Sequence, residues 1–306
     1  MKKVSLIYFL MLFTVLSLTQ VSAKYENNQS KEKKQEIEYH LVSEELLDSL
    51  DVPLEGGGIA KTPFYIPDEG SSLDYSLQGV IIPDDRELVT DTSISPYKSI
   101  VYIEFTNPAG LRRNGTGFLI DANTVVTAAH VVYGMDGWNT SFDIDAGRDG
   151  LGGSSYVCGT AAVHAISLPT PWRDAADAAT DANDYDYDYD WAVLTLNWGL
   201  GNTCGYFGLT TGVAVDDDAS LTGYKAHDIW GTPLGLMYND DDKILNVWSH
   251  QVEYAMDCSR GQSGSPIWSS DGVMAIHSHA DTLIVRNYGA RMTTSLFNYL
   301  NTYHIT

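Results

Sequence analysis

Short runs rich in β-branched and aromatic residues, separated by Gly, Asn and Asp, fill the chain from Val80 onward. Runs of this length and composition are typical of β-strands, and the clearest of them predict strands at 99–105, 115–120, 124–127, 191–196, 244–248 and 272–277. Only residues 293–303 space their apolar side chains clearly as a helix does. Many short strands and one terminal helix predict an all-β fold, either a barrel or a sandwich. The chain from Val80 is long enough for two small barrels, each with its own core.

The first 23 residues have the pattern of a signal peptide. Lys2 and Lys3 precede an apolar run at 4–18, and residues 21–23 (VSA) provide the small residues that a signal peptidase accepts. The apolar run is too short to predict a membrane span. We therefore expect residues 1–23 to be removed and the protein to be secreted into the extracellular medium, with no membrane partner.

Residues 24–79 differ in composition from the β-rich part that follows. Within 31–51, apolar residues recur at spacings suited to one helix face among many charges, namely Ile37, Leu41, Val42, Leu46 and Leu50. Three glycines at 56–58 and a loose polar stretch follow. A short charged helix on a glycine-rich tether could be a small independent domain. Because it follows a signal peptide, we interpret residues 24–79 as a propeptide.

Composition excludes several classes of partner. The chain has 18 Lys and Arg against 40 Asp and Glu, and a surface this acidic repels nucleic acid and anionic membranes. Cys158, Cys204 and Cys258 are an odd number, so at most one intramolecular disulfide forms and one thiol is left over. No CxxC pair or His/Cys cluster suggests zinc, and we expect neither a metal nor a cofactor.

Three stretches are rich in aspartate. Residues 184–190 read DYDYDYD, which in a strand would place the aspartates on one face and the tyrosines on the other. We interpret Asp184 and Asp186 as a solvated edge, and the runs at 216–218 and 240–242 as exposed turns. Calcium could use such carboxylates, but the ligand spacing of a known loop motif is missing.

Three residues in separate blocks have the chemistry of a hydrolase. Ser263 lies in GQSGSP, where small residues let the backbone turn tightly and expose a hydroxyl beside N–H groups. His130 ends the run GTGFLIDANTVVTAAH, and Asp190 begins the apolar run DWAVLTL. Each has an ordinary alternative, respectively a glycine-rich turn, a structural histidine and an acid that caps a strand. Together they supply a nucleophile, a base and an orienting carboxylate, in an order that neither subtilisin-like enzymes nor α/β-hydrolases use.

The blocks TAAH at 127–130, DWAV at 190–193 and GQSGSP at 261–266 resemble the signature blocks of the chymotrypsin-like serine endopeptidases. Among these, the bacterial glutamyl endopeptidases are most similar, because residues 80–105 also resemble their mature amino terminus. The resemblance covers roughly residues 80–290. It implies an all-β, chymotrypsin-like double β-barrel with a C-terminal helix, preceded by the signal peptide and propeptide. The N-terminal barrel would be residues 80–205, and the C-terminal barrel with its helix residues 206–306.

The same resemblance implies a role for each site residue. His130 would be the general base and then the general acid, Asp190 would orient it, and Ser263 would attack the scissile carbonyl. The N–H groups of Gly261 and Ser263 would bind the oxyanion. Asp188 lies two positions before Asp190 and is the rival for the orienting role. We prefer Asp190 because the family places its acid directly before an x-Ala-aliphatic strand.

Two departures from the pattern bear on activation. Gln262 stands where animal relatives carry an Asp that pairs with the new amino terminus, and the cysteines that often flank the histidine are missing. In glutamyl endopeptidases the freed amino group, here that of Val80, is expected near the specificity pocket. We therefore predict cleavage of the bond between Gly79 and Val80. Because neither Gln78 nor Gly79 is acidic, we expect another protease to make this cut.

The residue recognised before the cut bond is predicted from two features that disagree. The resemblance places His277 on the pocket wall. As an imidazolium or as a neutral donor, it would hold a glutamate carboxylate there with help from Ser278 and the amino group of Val80. Asp257 lies at the offset where trypsin-like enzymes carry the acid that selects Arg or Lys, and Cys258 replaces a hydroxyl residue common in the family. We predict cleavage after Glu, with Asp poorer because its side chain is shorter. The alternative is a trypsin-like specificity through Asp257.

We therefore expect a secreted monomeric serine endopeptidase that is activated by another protease and acts on protein or peptide substrates. The alternative from a different class is a catalytically silent homologue that uses its barrels to bind other proteins. A binding protein has no need of all three site residues and their glycine framework, so the enzyme is favoured.

Overall fold

The computed structural model describes residues 37–43, 80, 83–150, 157–226, 235–281 and 286–304, all within one compact unit, Ile37–Thr306. The predicted signal peptide and most of the predicted propeptide lie outside the described residues. Among the helices that are described, none has both the length and the apolar character needed to cross a bilayer.

Strands are the most common regular element among the described residues. In chain order the strands are β1 (Glu38–Val42), β2 (Glu87–Leu88), β3 (Ile100–Thr106), β4 (Arg112–Asp121), β5 (Thr124–Thr127), β6 (Tyr133–Gly134), β7 (Gly137–Trp138), β8 (Thr140–Ala146), β9 (Thr160–Pro169), β10 (Ala192–Leu196), β11 (Asp218–Tyr224), β12 (Met237–Val247), β13 (Gln251–Tyr254), β14 (Pro266–Ser269), β15 (Gly272–Asp281) and β16 (Arg286–Arg291). The α-helices are α1 (Thr170–Ala178), α2 (Gly201–Cys204) and α3 (Thr294–Asn301).

Two closed six-stranded antiparallel barrels follow from the strand order. In the first barrel the order is β9, β10, β5, β4, β3 and β8, and β8 pairs again with β9. In the second the order is β11, β14, β15, β16, β13 and β12, and β12 pairs again with β11. This is the chymotrypsin-like double β-barrel that the resemblance implied. The terminal helix α3 confirms the helical spacing at 293–303.

The continuous apolar runs of the first barrel arise because its strands are buried on both faces. Since successive side chains of a strand point to opposite faces, alternate residues reach different cores. In β3, Val101 and Ile103 belong to the core of the first barrel, whereas Ile100 and Tyr102 belong to a core shared with the second barrel. The shared core also receives Leu296 of α3. Asp190, two residues before β10, accepts a hydrogen bond from Ser278 of β15, so this end of the first barrel contacts the second.

One disulfide joins Cys158, which precedes β9, to Cys204 at the end of α2. Cys258 remains a buried free thiol, and its Sγ donates to Asn287 Oδ1 at 3.2 Å. Of the three cysteines, one pair is bonded and one thiol is left over, as the odd number required.

The predicted helix within residues 31–51 is wrong for the part that the structure describes. Residues Glu38–Val42 form β1, which pairs in parallel with β9 from Ala165 to Pro169. Val42 is buried in the core shared by the two barrels. Backbone bonding to the part of β9 that β8 leaves unpaired therefore outweighs the local helical spacing.

Two further interpretations of the aspartate-rich stretches are corrected. The DYDYDYD stretch is not a strand. It begins at the last residue of one 3-10 turn, Ala182–Asp184, and contains a second, Tyr187–Tyr189, and its Tyr185 and Tyr187 pack against the first core. Residues 240–242 lie inside strand β12, where Asp240 is buried, so this run is not an exposed turn. Helix α1 was not predicted.

Candidate active site

Two neighbouring strands bring His130 and Asp190 to the same edge of the first barrel. Thr127, which ends β5, pairs with Ala192, which begins β10. His130 follows β5 in a single 3-10 turn, and Asp190 precedes β10. The two side chains meet because antiparallel strands place the end of one beside the beginning of the next.

The carboxylate of Asp190 holds His130 at two points. His130 Nδ1 lies 2.8 Å from Asp190 Oδ2, and the His130 backbone N–H donates to Oδ1 at 3.0 Å. Ser278 of β15 also donates its hydroxyl to Asp190 Oδ2, at 2.5 Å. Burial by itself would raise the pKa of Asp190, but the adjacent His130 and the hydrogen bonds hold the pKa of this carboxyl below its usual value. Asp190 is therefore a buried anion that fixes the orientation of the imidazole.

The rival acid, Asp188, faces a different environment. Its Oδ1 accepts from Gln251 Nε2 at 2.6 Å, and its Oδ2 lies 3.8 Å from His250 Nδ1. Both partners belong to the second barrel, since Gln251 is the first residue of β13 and His250 directly precedes it. The geometry therefore favours Asp190 over Asp188 as the acid that orients His130.

Ser263 lies in a loop that β4 of the first barrel holds in place. The Thr116 backbone N–H donates to the Ser263 carbonyl at 2.9 Å, and the Thr116 hydroxyl donates to the Gly261 carbonyl at 2.8 Å. A Cβ atom on Gly264 would lie 2.2 Å from both the Thr116 carbonyl oxygen and Thr127 Oγ1, and Gly264 has φ +85°. Glycine is therefore required directly after Ser263 for the loop to pack against the strand that leads to His130.

The predicted oxyanion hole has two backbone N–H groups. Among the described residues, the N–H groups of Gly261 and Ser263 donate no hydrogen bond. Gly261 has φ +91°, and a Cβ there would approach Asn114 Nδ2 and the Tyr224 carbonyl within 2.7 Å. The backbone at 261–263 is thus tightly confined while two donors stay available for an oxygen atom.

His277, the predicted specificity residue, is buried in β15 close to the Ser263 loop. Its backbone N–H donates to the Ser265 carbonyl, and the Gly264 N–H donates to its carbonyl, both at 2.8 Å. Its Nδ1 lies 2.5 Å from the hydroxyl of Tyr254. Loss of hydration on burial, together with the nearby His279 and His130, lowers the pKa of His277 to about 3. The imidazole is therefore neutral at ordinary pH.

Ser278, predicted beside the substrate, donates its hydroxyl to Asp190 Oδ2. Val80 is 6% exposed.

We call residues 84–88 the strap. The strap contains β2, which pairs with β12 of the second barrel, for example Leu88 with Tyr238. Asp85 donates its backbone N–H to the carboxylate of Asp257 at 3.3 Å.

Asp257, the alternative specificity acid, is 1% exposed and does not point to solvent. Carboxylate oxygens of Asp85, Asp240 and Asp257 lie within 4.8 Å of one another. The carboxylate of Asp240 accepts the backbone N–H of Asp257. We assign this cluster to the packing of the strap, because backbone N–H groups bind two of its carboxylates.

Sequence reasoning missed three residues that shape the site. Thr116 was read only as part of a strand, although it lies between two glycines in GTGF. Tyr254 gave no signal, because its contact with His277 joins residues that are distant along the chain. Trp172 of α1 is fully buried, and its ring centroid lies 6.4 Å from that of His130. Its indole N–H donates to the Tyr133 carbonyl at 3.0 Å, which fixes the ring behind the imidazole.

Comparison with known proteins identifies the family. The trypsin-like peptidase domain family model matches residues 115–275, a range that contains His130, Asp190 and Ser263. The glutamyl endopeptidase of Bacillus licheniformis is 31% identical over 242 residues, which cover 74% of this chain and 69% of the relative. The chain belongs to the glutamyl endopeptidase family. As a member of this family it is a serine endopeptidase, and it acts on protein or peptide substrates.

Two further comparisons concern a second relative and a solved structure. The extracellular metalloprotease of Bacillus subtilis is 31% identical over 264 residues, covering 82% of this chain and 79% of the relative. A solved Glu endopeptidase covers 74% of this chain and 100% of its own, with TM-score 0.62 and 23% identity. The solved structure shows the same fold. The B. subtilis protein is named for a metal, whereas the three signature blocks of this chain supply a serine, a histidine and an aspartate.

Proposed function

We propose that Ser263, His130 and Asp190 form the catalytic triad of a secreted glutamyl endopeptidase. The observation that carries this proposal is the bond between His130 Nδ1 and the buried Asp190 carboxylate. Because Nδ1 is engaged there, Nε2 is the nitrogen left to take the proton of Ser263. The Ser263 oxygen then attacks the scissile carbonyl, and the protonated His130 gives its proton to the leaving amine. Water hydrolyses the resulting acyl-enzyme by the same route.

The N–H groups of Gly261 and Ser263 would stabilise the negative oxygen of the tetrahedral intermediate. Two observations support this role. Neither N–H group donates to another described residue, and Thr116 binds the carbonyl oxygens of both Gly261 and Ser263. Donors that are already oriented stabilise charge in the transition state without further reorganisation.

A serine-directed phosphonylating reagent tests the catalytic proposal. We expect complete loss of peptidase activity with one label per molecule, found on Ser263 by peptide mass spectrometry. Active protein that carries no label, or a label on another residue, would overturn it. A mature protein with neither activity nor label would favour the silent binding homologue.

Cleavage after Glu follows from a neutral His277 that donates a hydrogen bond. A hydroxyl has one hydrogen, so Tyr254 can donate it either to the Tyr288 carbonyl, 3.0 Å away, or to His277 Nδ1. In the second arrangement the hydrogen of the imidazole is on Nε2, which can then donate to a substrate carboxylate. A hydrogen bond to an ionised acceptor is stronger than one to a neutral acceptor. Neutral His277 would thus favour Glu, and the shorter Asp would reach it poorly.

Specificity through Asp257 is the weaker alternative. Its carboxylate already accepts the strap N–H of Asp85, and it lies in a cluster of three acids. A substrate set that differs only in the residue before the bond, with Glu, Asp, Gln, Lys and Arg, distinguishes the two. We expect the order Glu, then Asp, with little cleavage after the others. Preference for Lys or Arg that is lost in Asp257→Ser would replace the glutamyl proposal.

Maturation is proposed to follow export, by cleavage of the Gly79–Val80 bond by another protease. The support is the change in composition at this point and the strap, which begins four residues later and lies against the second barrel. Amino-terminal sequencing of the protein from the medium should give a chain that begins at Val80. A fully active chain that begins at Lys24 would contradict this. We expect the mature protein to be a monomer, which sedimentation can test.

A further inference from the structure

The strap reaches the Ser263 loop through one side chain. Arg86 is the middle residue of the strap, and its side chain is only 2% exposed. Its Nη1 donates to Gln262 Oε1 at 3.2 Å, and Gln262 directly precedes Ser263. An arginine that is buried against the loop of the proposed nucleophile is therefore contributed by a segment far away in sequence.

The charge of Arg86 is balanced inside the strap itself. Nε and Nη2 donate to the two carboxylate oxygens of Asp84 at 2.9 and 2.8 Å. The guanidinium carbon also lies 5.7 Å from the centre of the Tyr238 ring. A planar guanidinium can bind a carboxylate with two nitrogens and still present the third to another acceptor, which a lysine cannot do with the same geometry. Arg86 thus links Asp84 to Gln262.

Gln262 is fully buried and has few partners. Its Oε1 also accepts the backbone N–H of Ser259 at 2.9 Å and the Ser259 hydroxyl at 3.3 Å. Its Nε2 has no hydrogen-bond partner among the described residues. Among the described residues, Arg86 is therefore the hydrogen-bond partner that the Gln262 side chain has outside its own loop, and Ser259 is its partner within the loop.

We propose that Arg86 is a positioning residue for the serine peptidase reaction, holding Gln262 so that the N–H groups of Gly261 and Ser263 face the oxyanion. This proposal rests on the catalytic roles assigned above. Thr116 already holds the carbonyls on both sides of Gln262, and Arg86 fixes the side chain between them. Gln262 cannot form an ion pair, but its amide oxygen accepts a charged hydrogen bond. A residue within the strap thereby takes over the ordering of this loop.

Replacing Arg86 with Met tests the proposal, with Arg173→Met as the matched control. Arg173 forms an exposed ion pair with Asp174 on α1 and does not touch the loop. For Arg86→Met we expect kcat and the rate of Ser263 phosphonylation to fall in parallel, by roughly 10- to 100-fold, because a charged hydrogen bond is lost. KM should change by less than about threefold. The control should match the unsubstituted enzyme in all three quantities.

A second pair of variants separates positioning from simple loss of folding. Asp84 is exposed, and Asp84→Asn should weaken the hold on Arg86 and lower kcat in the same direction by a smaller factor. In a cycle with Gln262→Leu, the double variant with Arg86→Met should lose no more activity than the worse single variant. Thermal unfolding of each variant gives the folded fraction used to correct the rates.

Three results would overturn the proposal. Ser263 of Arg86→Met could be phosphonylated at the rate of the unsubstituted enzyme. The losses of activity of Arg86→Met and Gln262→Leu could add in the double variant, or the unfolded fraction of Arg86→Met could account for its whole loss of activity. If Arg86→Met does not fold, an unchanged kcat in Asp84→Asn overturns it. Failure of the catalytic proposal is recognised separately, because the unsubstituted enzyme would then carry no label on Ser263.

Discussion

His130 and His277 are the same residue type in two contrasting surroundings. His130 has a side chain that is 26% exposed at the edge between the barrels, and a buried carboxylate binds its Nδ1. His277 is buried in the second barrel, and its Nδ1 contacts the neutral hydroxyl of Tyr254. Burial raises the pKa of Tyr254 well above its usual value, so this hydroxyl keeps its proton.

The two surroundings suit a histidine to two different roles, proton transfer and hydrogen bonding. A carboxylate at Nδ1 stabilises the imidazolium, so His130 can accept the proton of a nucleophile. A neutral partner in a dry environment disfavours the imidazolium, so His277 can only donate or accept a hydrogen bond. We therefore propose that the histidine of the first barrel transfers protons and that the histidine of the second barrel recognises the substrate.

Removing the charge beside His130 should have the largest effect. Asp190→Asn keeps the shape of the side chain but no longer stabilises the imidazolium, and we expect kcat to fall by about 10⁴-fold. Asp188→Asn is the matched control, since its carboxylate contacts Gln251 and His250 instead. Steady-state kinetics on one Glu substrate measures both. A larger loss in Asp188→Asn would reverse the assignment of the orienting acid.

Removing the hydroxyl beside His277 should have a smaller and selective effect. Tyr254→Phe deletes the group that sets which nitrogen of His277 carries the hydrogen. We expect kcat/KM for a Glu substrate to fall about 3- to 10-fold, the range for one hydrogen bond, with labelling of Ser263 unchanged. Equal losses for labelling and for Glu cleavage would show that Tyr254 supports the fold of the site, not recognition.

The smallest expected effect is an absence of pH dependence. Because the pKa of His277 is lowered to about 3, the imidazole stays neutral above about pH 4. The ratio of kcat/KM for Glu and Gln substrates reports the free enzyme and should stay constant from about pH 5 to 8. If His277 acted as an imidazolium, the ratio would fall as the pH rises through its usual pKa of about 6.5.

The sequence was sufficient where local pattern and chemistry agree. The strand at Thr124–Thr127 was predicted at its observed limits, because a short apolar run ends where the small residues before His130 begin. The blocks around His130, Asp190 and Ser263 predicted the double barrel through a family resemblance. The predicted role of His277 in recognition came only from the same resemblance.

Contacts between distant residues were not predictable from local pattern. The DYDYDYD stretch alternates as a strand does, yet its tyrosines pack around Trp172 and the chain turns. Glu38–Val42 follows a helical spacing but pairs with β9, a partner more than a hundred residues away. Arg86 appears in an unremarkable charged stretch, and its contact with Gln262 exists only once the strap lies on the second barrel.

The most direct test of the division between the two histidines is a peptide-library cleavage profile of His277→Ala beside the unsubstituted enzyme. We predict that the unsubstituted enzyme cuts after Glu, and that His277→Ala loses roughly 10- to 100-fold in kcat/KM for Glu, the range for one charged hydrogen bond. Ser263 of the variant should still be phosphonylated at the original rate. An unchanged preference for Glu in His277→Ala, or a loss of Ser263 reactivity equal to the loss of Glu cleavage, would contradict the account.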